Sequence, residues 1–267
     1  MCIRDRVVLA DIQEDALNQA VDKLRERQGK VVGVVTDTML QASVENLAER
    51  AAEEFGNVHV LCKNAGVAST RAGTGKPIWE IPRTDWDWVM GVNFYGVLYG
   101  LQTFVPRMLA PGEAGHNINT ASLAGLMPAG GTYGVSKHGV LVLTETLYND
   151  LDAQGANIGA SVLCPGFVNT NIFDAERNRP AALQAGNDGG TAETAAMARA
   201  LLAQGKEPAD IATAVFESMV EKRLYILPHP AWDGFVRSRV EHVLARQGPA
   251  RLDMEDVLRR RSEGEVF

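Results

Sequence analysis

Tyr133 and Lys137 stand four residues apart at the start of an apolar-periodic stretch, and Ser122 lies eleven residues before Tyr133. On a helix that spacing puts both side chains on one face, so an ammonium can sit beside a phenol. A free phenol, with a pKa of about 10, exchanges protons poorly near neutrality. A neighbouring cation favours the phenolate and brings the group toward useful acid–base work. Alone, the Tyr-x-x-x-Lys spacing recurs by chance in many helices. Its weight depends on what the rest of the chain places around it.

The elements that must position these residues alternate in kind. Val7–Ala10 reads as a strand, followed by a helix over 14–28 that stops at Gly29. Val31–Val35 is the next strand, then a helix from Ser43, a plausible N-cap, to Phe55. Val58–Cys62 is a third strand, and a long helix is predicted from Trp86 to Leu109, closed by Pro111-Gly112. Ile118–Ala121, a Tyr133–Leu151 helix, the Ile158–Leu163 strand, an Ile211–Glu221 helix and a short Leu224–Leu227 strand complete the order. Short β-branched runs alternating with helices of ten or more residues imply right-handed crossovers, hence an α/β fold with a doubly wound parallel sheet. At 267 residues and 46% hydrophobic content the chain is long enough for one large domain of this kind.

In such sheets ligands bind beyond the carboxyl ends of the strands. Asp11 ends the first strand, Asp37 follows the second, Asn64-Ala65-Gly66 the third, Ser122 the fourth and Pro165-Gly166 the fifth. Any one of these could be ordinary turn chemistry. Together, with Tyr133 and Lys137 between the last two, they outline a cleft for an elongated ligand.

With these residues in view, the chain resembles the short-chain dehydrogenase/reductase family from about Val7 to Leu227. The matching motifs are Asn64-Ala65-Gly66, Asn93 in Val-Asn-Phe-Tyr-Gly, Ser122 in Thr-Ala-Ser-Leu-Ala-Gly, Tyr133-x-x-x-Lys137, and the run from Cys164-Pro165-Gly166 through Val168 to Thr170. The resemblance implies a Rossmann-type fold and hydride transfer between a nicotinamide cofactor and a secondary alcohol or ketone. It makes Asn93, Ser122, Tyr133 and Lys137 the candidate catalytic residues. Tyr133 would be the general acid or base, and Ser122 would hydrogen-bond the substrate oxygen. Lys137 would lower the Tyr133 pKa and bind the nicotinamide ribose, and Asn93 would support a proton relay to solvent. Asp37 would contact the adenine, Asn64, Ala65 and Gly66 would border the cofactor, and Pro165–Thr170 would close over the nicotinamide.

Asp11 bears on the choice of cofactor. A carboxylate there accepts hydrogen bonds from a ribose diol and repels a 2′-phosphate, and no Arg or Lys follows in Ile12-Gln13-Glu14-Asp15. NAD is therefore expected over NADP. The resemblance further implies a homodimer or homotetramer, a mobile substrate lid over residues 171–206, and a C-terminal extension over 231–267. In that extension Phe235, Val236, Val240, Val243 and Leu244 fit an amphipathic helix.

Other features bound the reading. The net charge of −7 and scattered basic residues argue against a nucleic-acid partner. Arg259-Arg260-Arg261 reads as a solvated helix end, and no apolar run is long enough for a membrane span. Cys2, Cys62 and Cys164 form neither a metal-ligand spacing nor a disulfide framework. Cys62 and Cys164 are expected buried, in a reducing, cytoplasmic setting. The Gly-rich phosphate loop and first strand of the family are expected to be missing before Asp11. Met1–Arg6 is similar to the translation of a transposase adapter and is expected to be foreign to the gene. A sheet lacking that strand is expected to leave its neighbours unpaired and to hold NAD weakly.

Lys63 stands where the family has Asn, Asn117 interrupts an apolar strand, and the Ser122–Tyr133 interval is short, a tightness that Gly130 and Gly131 make feasible. Two other readings share parts of this pattern: a nucleotide sensor without turnover, and a sugar-nucleotide epimerase or dehydratase. The first would be marked by loss of Tyr133 or Lys137. Asn64-Ala65-Gly66 and Pro165-Gly166 count against the second.

Overall fold

The computed structural model describes residues 6–27, 29–69, 77–128, 130–184, 192–250 and 252–266. All but one of the residues at positions 1–6, read above as adapter-derived, and part of the lid segment lie outside them. The strands are β1 (Arg6–Asp11), β2 (Lys30–Val35), β3 (Val60–Lys63), β4 (Gly115–Thr120), β5 (Ile158–Leu163) and β6 (Tyr225–Ile226). The main helices are α1 (Glu14–Arg25), α2 (Gln41–Phe55), α3 (Arg83–Met90), α4 (Gly96–Leu109), α5 (Leu123–Leu126), α6 (Gly131–Ala153), α7 (Ala192–Ala203), α8 (Pro208–Val220), α9 (Asp233–Leu244) and α10 (Met254–Ser262). Every pairing between strands is parallel.

The strands form two sheets, β1-β2 and β3-β4-β5-β6. Among the described residues β1 and β3 therefore have one strand neighbour each. The edge position shows in the side chains: Val60 on β3 is exposed, whereas β4 and β5, flanked on both sides, are buried almost throughout. Cys62, expected inside, is likewise exposed on that edge, while Cys164 is fully buried.

The helices form for legible reasons. In α1, Glu14 and Asp15 occupy the first turn and Lys23 and Arg25 the last, complementing the helix dipole. Its Leu17 and Val21, one turn apart, pack on Val31. In α2, Val44 and Ala48 meet Phe104 and Met108 of α4 beneath Leu151, Ile158 and Ala160, forming the largest apolar cluster. The helix begins at Gln41, so Ser43 is no N-cap; its hydroxyl instead accepts the Asp37 N–H at 3.0 Å.

The long helix expected over 86–109 is present, with two changes. It begins at Arg83, after Pro82, and it is widened over Gly91–Tyr95 into a π-helical turn. Such a turn interrupts the regular backbone ladder and is found often at functional positions. Asn93 is at its centre. The fourth strand begins three residues earlier than expected, at Gly115, and so contains Asn117.

Candidate active site

The carboxyl end of the larger sheet collects the predicted residues. β4 ends at Thr120, and Ser122 then caps α5, its hydroxyl accepting the Ala124 N–H at 3.1 Å. The same oxygen lies 3.5 Å from the Pro165 carbonyl, a weak contact, and the hydroxyl is near enough to the Tyr133 phenol to favour its phenolate. α5 packs on α6 at Gly125, where an added Cβ would lie 2.7 Å from the Lys137 carbonyl carbon. Only glycine permits that approach, which brings Ser122 against the α6 face carrying Tyr133 and Lys137. Gly130 and Gly131, at φ of 82° and 52°, make the tight entry into α6. The short Ser122–Tyr133 interval is thus accommodated.

Lys137 is buried, and its Nζ donates to the Thr120 carbonyl at 2.8 Å while standing 5.7 Å from the Tyr133 ring centroid. Burial disfavours its charge and brings its pKa down to about 8. Tyr133 moves upward from its ordinary value: burial raises it most, and the Ser122 hydrogen bond offsets only part. The expectation that Lys137 lowers the phenol pKa is therefore corrected for the protein alone. The ammonium is engaged with a carbonyl, and loss of solvation outweighs the hydrogen bond. Cys164, packed beside Ser122, is driven up to about 12 by burial and is inert as a nucleophile.

Asn93 is fully buried and acts as a brace. Its Oδ1 accepts the Val67 N–H at 2.8 Å, and its Nδ2 donates to the Val67 carbonyl at 2.9 Å and to Ser136 Oγ at 3.0 Å. It thereby ties the chain after Asn64-Ala65-Gly66 to α6. Asn64 accepts the Thr120 hydroxyl at 3.0 Å, and Ala65 is exposed. At Gly66 an added Cβ would stand 3.3 Å from Lys137 Nζ and 3.5 Å from Asn93 Oδ1. The backbone at Gly66 thus lies close against a buried amine, an approach that a side chain there would crowd.

The first sheet contributes its own strand ends. Asp11 accepts the Gln13 N–H at 2.8 Å, and Asp37 accepts the Met39 N–H at 2.9 Å. Both bonds are turn chemistry and leave each carboxylate further acceptor capacity. After β5, the Pro165 carbonyl accepts the Leu123 N–H at 3.0 Å, the Gly166 N–H donates to His229, Val168 bridges to Lys206, and the Thr170 hydroxyl reaches the Val168 carbonyl at 3.4 Å. The structure thus brings Asn93, Ser122, Tyr133, Lys137 and Asn64–Gly66 together, with Pro165–Thr170 along the same edge.

Five contributors were missed or misassigned in the sequence. Ser136 lies inside the Tyr-Lys spacing and could have been suspected; the Thr120 carbonyl, being backbone, could not. Arg177 comes from 164 positions away to reach Gln13 Oε1 at 3.0 Å, placing a cation near Asp11 that local sequence excluded. His229, between two prolines just past the last strand, carried a signal in that flanking. Arg261, assigned to a solvated end, turns inward over the Phe167 ring and donates to the Leu201 carbonyl at 3.0 Å, whereas Arg259 and Arg260 pair with acids on the surface.

Known proteins share the family pattern and the fold of this chain. A model of the short chain dehydrogenase family matches residues 4–181. The chain is 31% identical over 251 residues to a CLA biosynthesis dehydrogenase/reductase of Lactiplantibacillus plantarum, covering 91% of this chain and 86% of that protein. It is 31% identical over 258 residues to a C alpha-dehydrogenase of a Sphingobium species, covering 96% and 82%. Among solved structures, a short chain dehydrogenase/reductase from Burkholderia phymatum in complex with NAD superposes with a TM-score of 0.86 at 45% identity, covering 93% of this chain and 88% of that one. The chain belongs to the short-chain dehydrogenase family and has its α/β Rossmann-type fold. No helix among the described residues is long and apolar enough to cross a membrane.

Proposed function

We propose that this oxidoreductase interconverts a secondary alcohol and a ketone with NAD, Tyr133 serving as the proton donor and acceptor. The observation that carries the reading is the meeting of Ser122, Tyr133 and Lys137 at one strand end, with the Ser122 hydroxyl near the phenol and the Lys137 amine beside its ring. Lys137, Gly66, Asn64 and the carboxylates of Asp11 and Asp37 would hold the dinucleotide. When bound it supplies the hydride acceptor or donor.

The protein's own residues do the rest. Ser122 accepts from Ala124 and has a long contact to Pro165, so its hydroxyl proton can turn from the neighbouring phenol to a substrate oxygen where charge develops. In reduction the Tyr133 O–H bond breaks and its proton passes to that oxygen as the carbonyl becomes an alcohol. In oxidation the phenolate takes the hydroxyl proton. Because burial holds the phenol above its ordinary pKa, the protonated form prevails near neutrality and favours reduction. Oxidation gains with rising pH. Asn93 keeps the Gly66–Val67 turn and α6 in register, and Lys137 supplies positive charge on the cofactor side.

Tyr133→Phe tests this directly. Turnover of a secondary-alcohol panel, followed by nicotinamide absorbance, should fall by at least ~100-fold, the scale of a lost general acid–base group. NAD affinity, read by fluorescence, should stay within about twofold. Undiminished turnover would overturn the role of Tyr133 and with it the proposed reaction.

A further inference from the structure

His229 lies past β6 in Pro228-His229-Pro230, with 1% of its surface exposed. Both ring nitrogens face the backbone that follows β5. The Gly166 N–H donates to Nδ1 at 3.0 Å, and Nε2 lies 3.0 Å from the Phe167 carbonyl oxygen. An amide N–H can only donate and a carbonyl oxygen can only accept. The contacts therefore admit a single ring state, with Nδ1 bare and Nε2 protonated. Backbone bonds grip the same loop: Lys206 N–H donates to the Phe167 carbonyl at 3.1 Å and Asn169 N–H to the Lys206 carbonyl at 2.9 Å. Of these bonds, the one to Nδ1 can be broken by a single proton.

We propose that His229 is a positioning residue whose neutral ring fixes Gly166 and Phe167, and with them the nicotinamide edge of the site, and that protonation of the ring releases Gly166. The link to the nicotinamide rests on the function proposed above; the clamp on the loop does not. On protonation a solvent proton takes the Nδ1 lone pair, so the Gly166 N–H meets a second donor while the Nε2 bond to Phe167 survives. Lys206 is the charged group that acts on the ring, with Glu207 beside it held by Asn169 at 3.0 Å and Arg260 paired with Asp256 and Glu265. Lys206 faces it across the Val168 bridge, Arg260 of α10 donates to the Ala231 carbonyl at 3.2 Å, and Arg261 stacks on Phe167 at 5.2 Å. The nearest acid in sequence, Asp233, is exposed at the start of α9.

Burial first and Lys206 second hold the ring below its ordinary pKa, against the opposing bond to Phe167. A histidine lowered on folding keeps its stabilisation above its unfolded pKa of about 6.5 and loses it as pH falls below that value.

The test uses the whole chain. Amide exchange at Gly166 is followed between about pH 5 and about pH 8, corrected for intrinsic rates, in wild type, His229→Gln and His229→Phe. Glutamine offers an acceptor and a donor at one end and does not titrate. Wild type should lose roughly tenfold of its protection across the acid limb, the scale of one hydrogen bond. The Gln protein should hold a flat profile, and the Phe protein should lack the protection throughout. Far-UV circular dichroism identifies any variant that fails to fold, and the Gln variant then carries the test. A flat wild-type profile, or imidazole 15N shifts showing a protonated Nδ1 at neutrality, overturns the clamp whatever the cofactor does.

Fluorescence titration with NAD supplies the second arm. His229→Phe should raise the dissociation constant roughly tenfold and His229→Gln should restore it. Wild-type affinity in a folded Phe protein overturns the positioning role. The predicted exchange pattern in a protein that takes no NAD overturns the function reading instead.

Discussion

Lys63 is the residue whose chemistry is least at ease with its surroundings. It stands at the end of β3 with its chain against Gly100 of α4, where an added Cβ would lie 2.6 Å from Lys63 Cδ, and its Nζ donates to buried Asn117 at 3.0 Å. A neutral amide cannot replace the lost hydration of an ammonium, so burial brings this amine to a pKa of about 7. Unfolded, it would titrate near 10. Between these values the unfolded chain binds more protons, so stability rises with pH across that window. Lys63→Met should flatten this rise in urea midpoints measured from about pH 7 to about pH 10. Lys137 adds a smaller rise of its own from its pKa of about 8, which the variant retains. An unchanged slope in the variant would show that Lys63 keeps its ordinary pKa. The two departures noted in the sequence, Lys63 and Asn117, thus prove to be one interaction.

At the scale of elements, the expected lid divides. Its first part, the 3-10 turns Ile172–Asn178 and Ala181–Leu183, is bolted to α3 by an ion pair between Arg179 and Asp85, with both side chains almost fully buried. Arg179 also donates to the Leu183 carbonyl at 2.8 Å and stacks on Trp88 at 4.7 Å, while Asp85 accepts the Ser69 hydroxyl at 2.8 Å. This part of the segment is thereby anchored to α3. Removing one partner leaves an uncompensated buried charge, so Arg179→Met should lower unfolding free energy by about 3–5 kcal/mol. Adding Asp85→Leu in the same chain should recover part of that loss. Chemical denaturation of wild type, each single variant and the double variant decides it: strictly additive losses would show that the two groups do not interact.

Over the whole molecule, the proposed preference for NAD is tested by an encounter that no local stretch contains. Asp11 alone argues for NAD by repelling a 2′-phosphate, yet the 172–178 turn carries Arg177 to Gln13, two residues past that carboxylate. The guanidinium also donates to the Asp174 carbonyl at 2.6 Å, so it is largely occupied. The carboxylate should therefore dominate. Asp11→Ala should shift the NAD-to-NADP ratio of kcat/KM toward NADP by roughly tenfold, about 1.4 kcal/mol. Arg177→Ala should shift it the other way by less. A ratio unmoved by Asp11→Ala would remove that residue from cofactor choice.

Much of this was legible in the chain itself. Period-two and period-3.6 patterning set the order β1 to β6 and the main helices, because burial of one face imposes those periods on any sequence that folds. Strand-end residues marked the sheet edge where Ser122, Tyr133 and Lys137 meet, since topology sends chain reversals there. Boundaries slipped where tertiary contacts overrode local preference: Arg83 extends the long helix, Gly115 lengthens β4, and Cys62 is exposed on an edge that strand patterning reads as interior. Protonation energetics could not be read at all. That Lys137 turns to the Thr120 carbonyl, that Tyr133 is raised, and that His229 and Arg177 join loops far from them in sequence depend on solvent exclusion and distance. The residues present and their order determined which chemistry is available. Packing alone decided which groups touch and which keep their water, and those two quantities set every pKa and contact on which the chemistry turns.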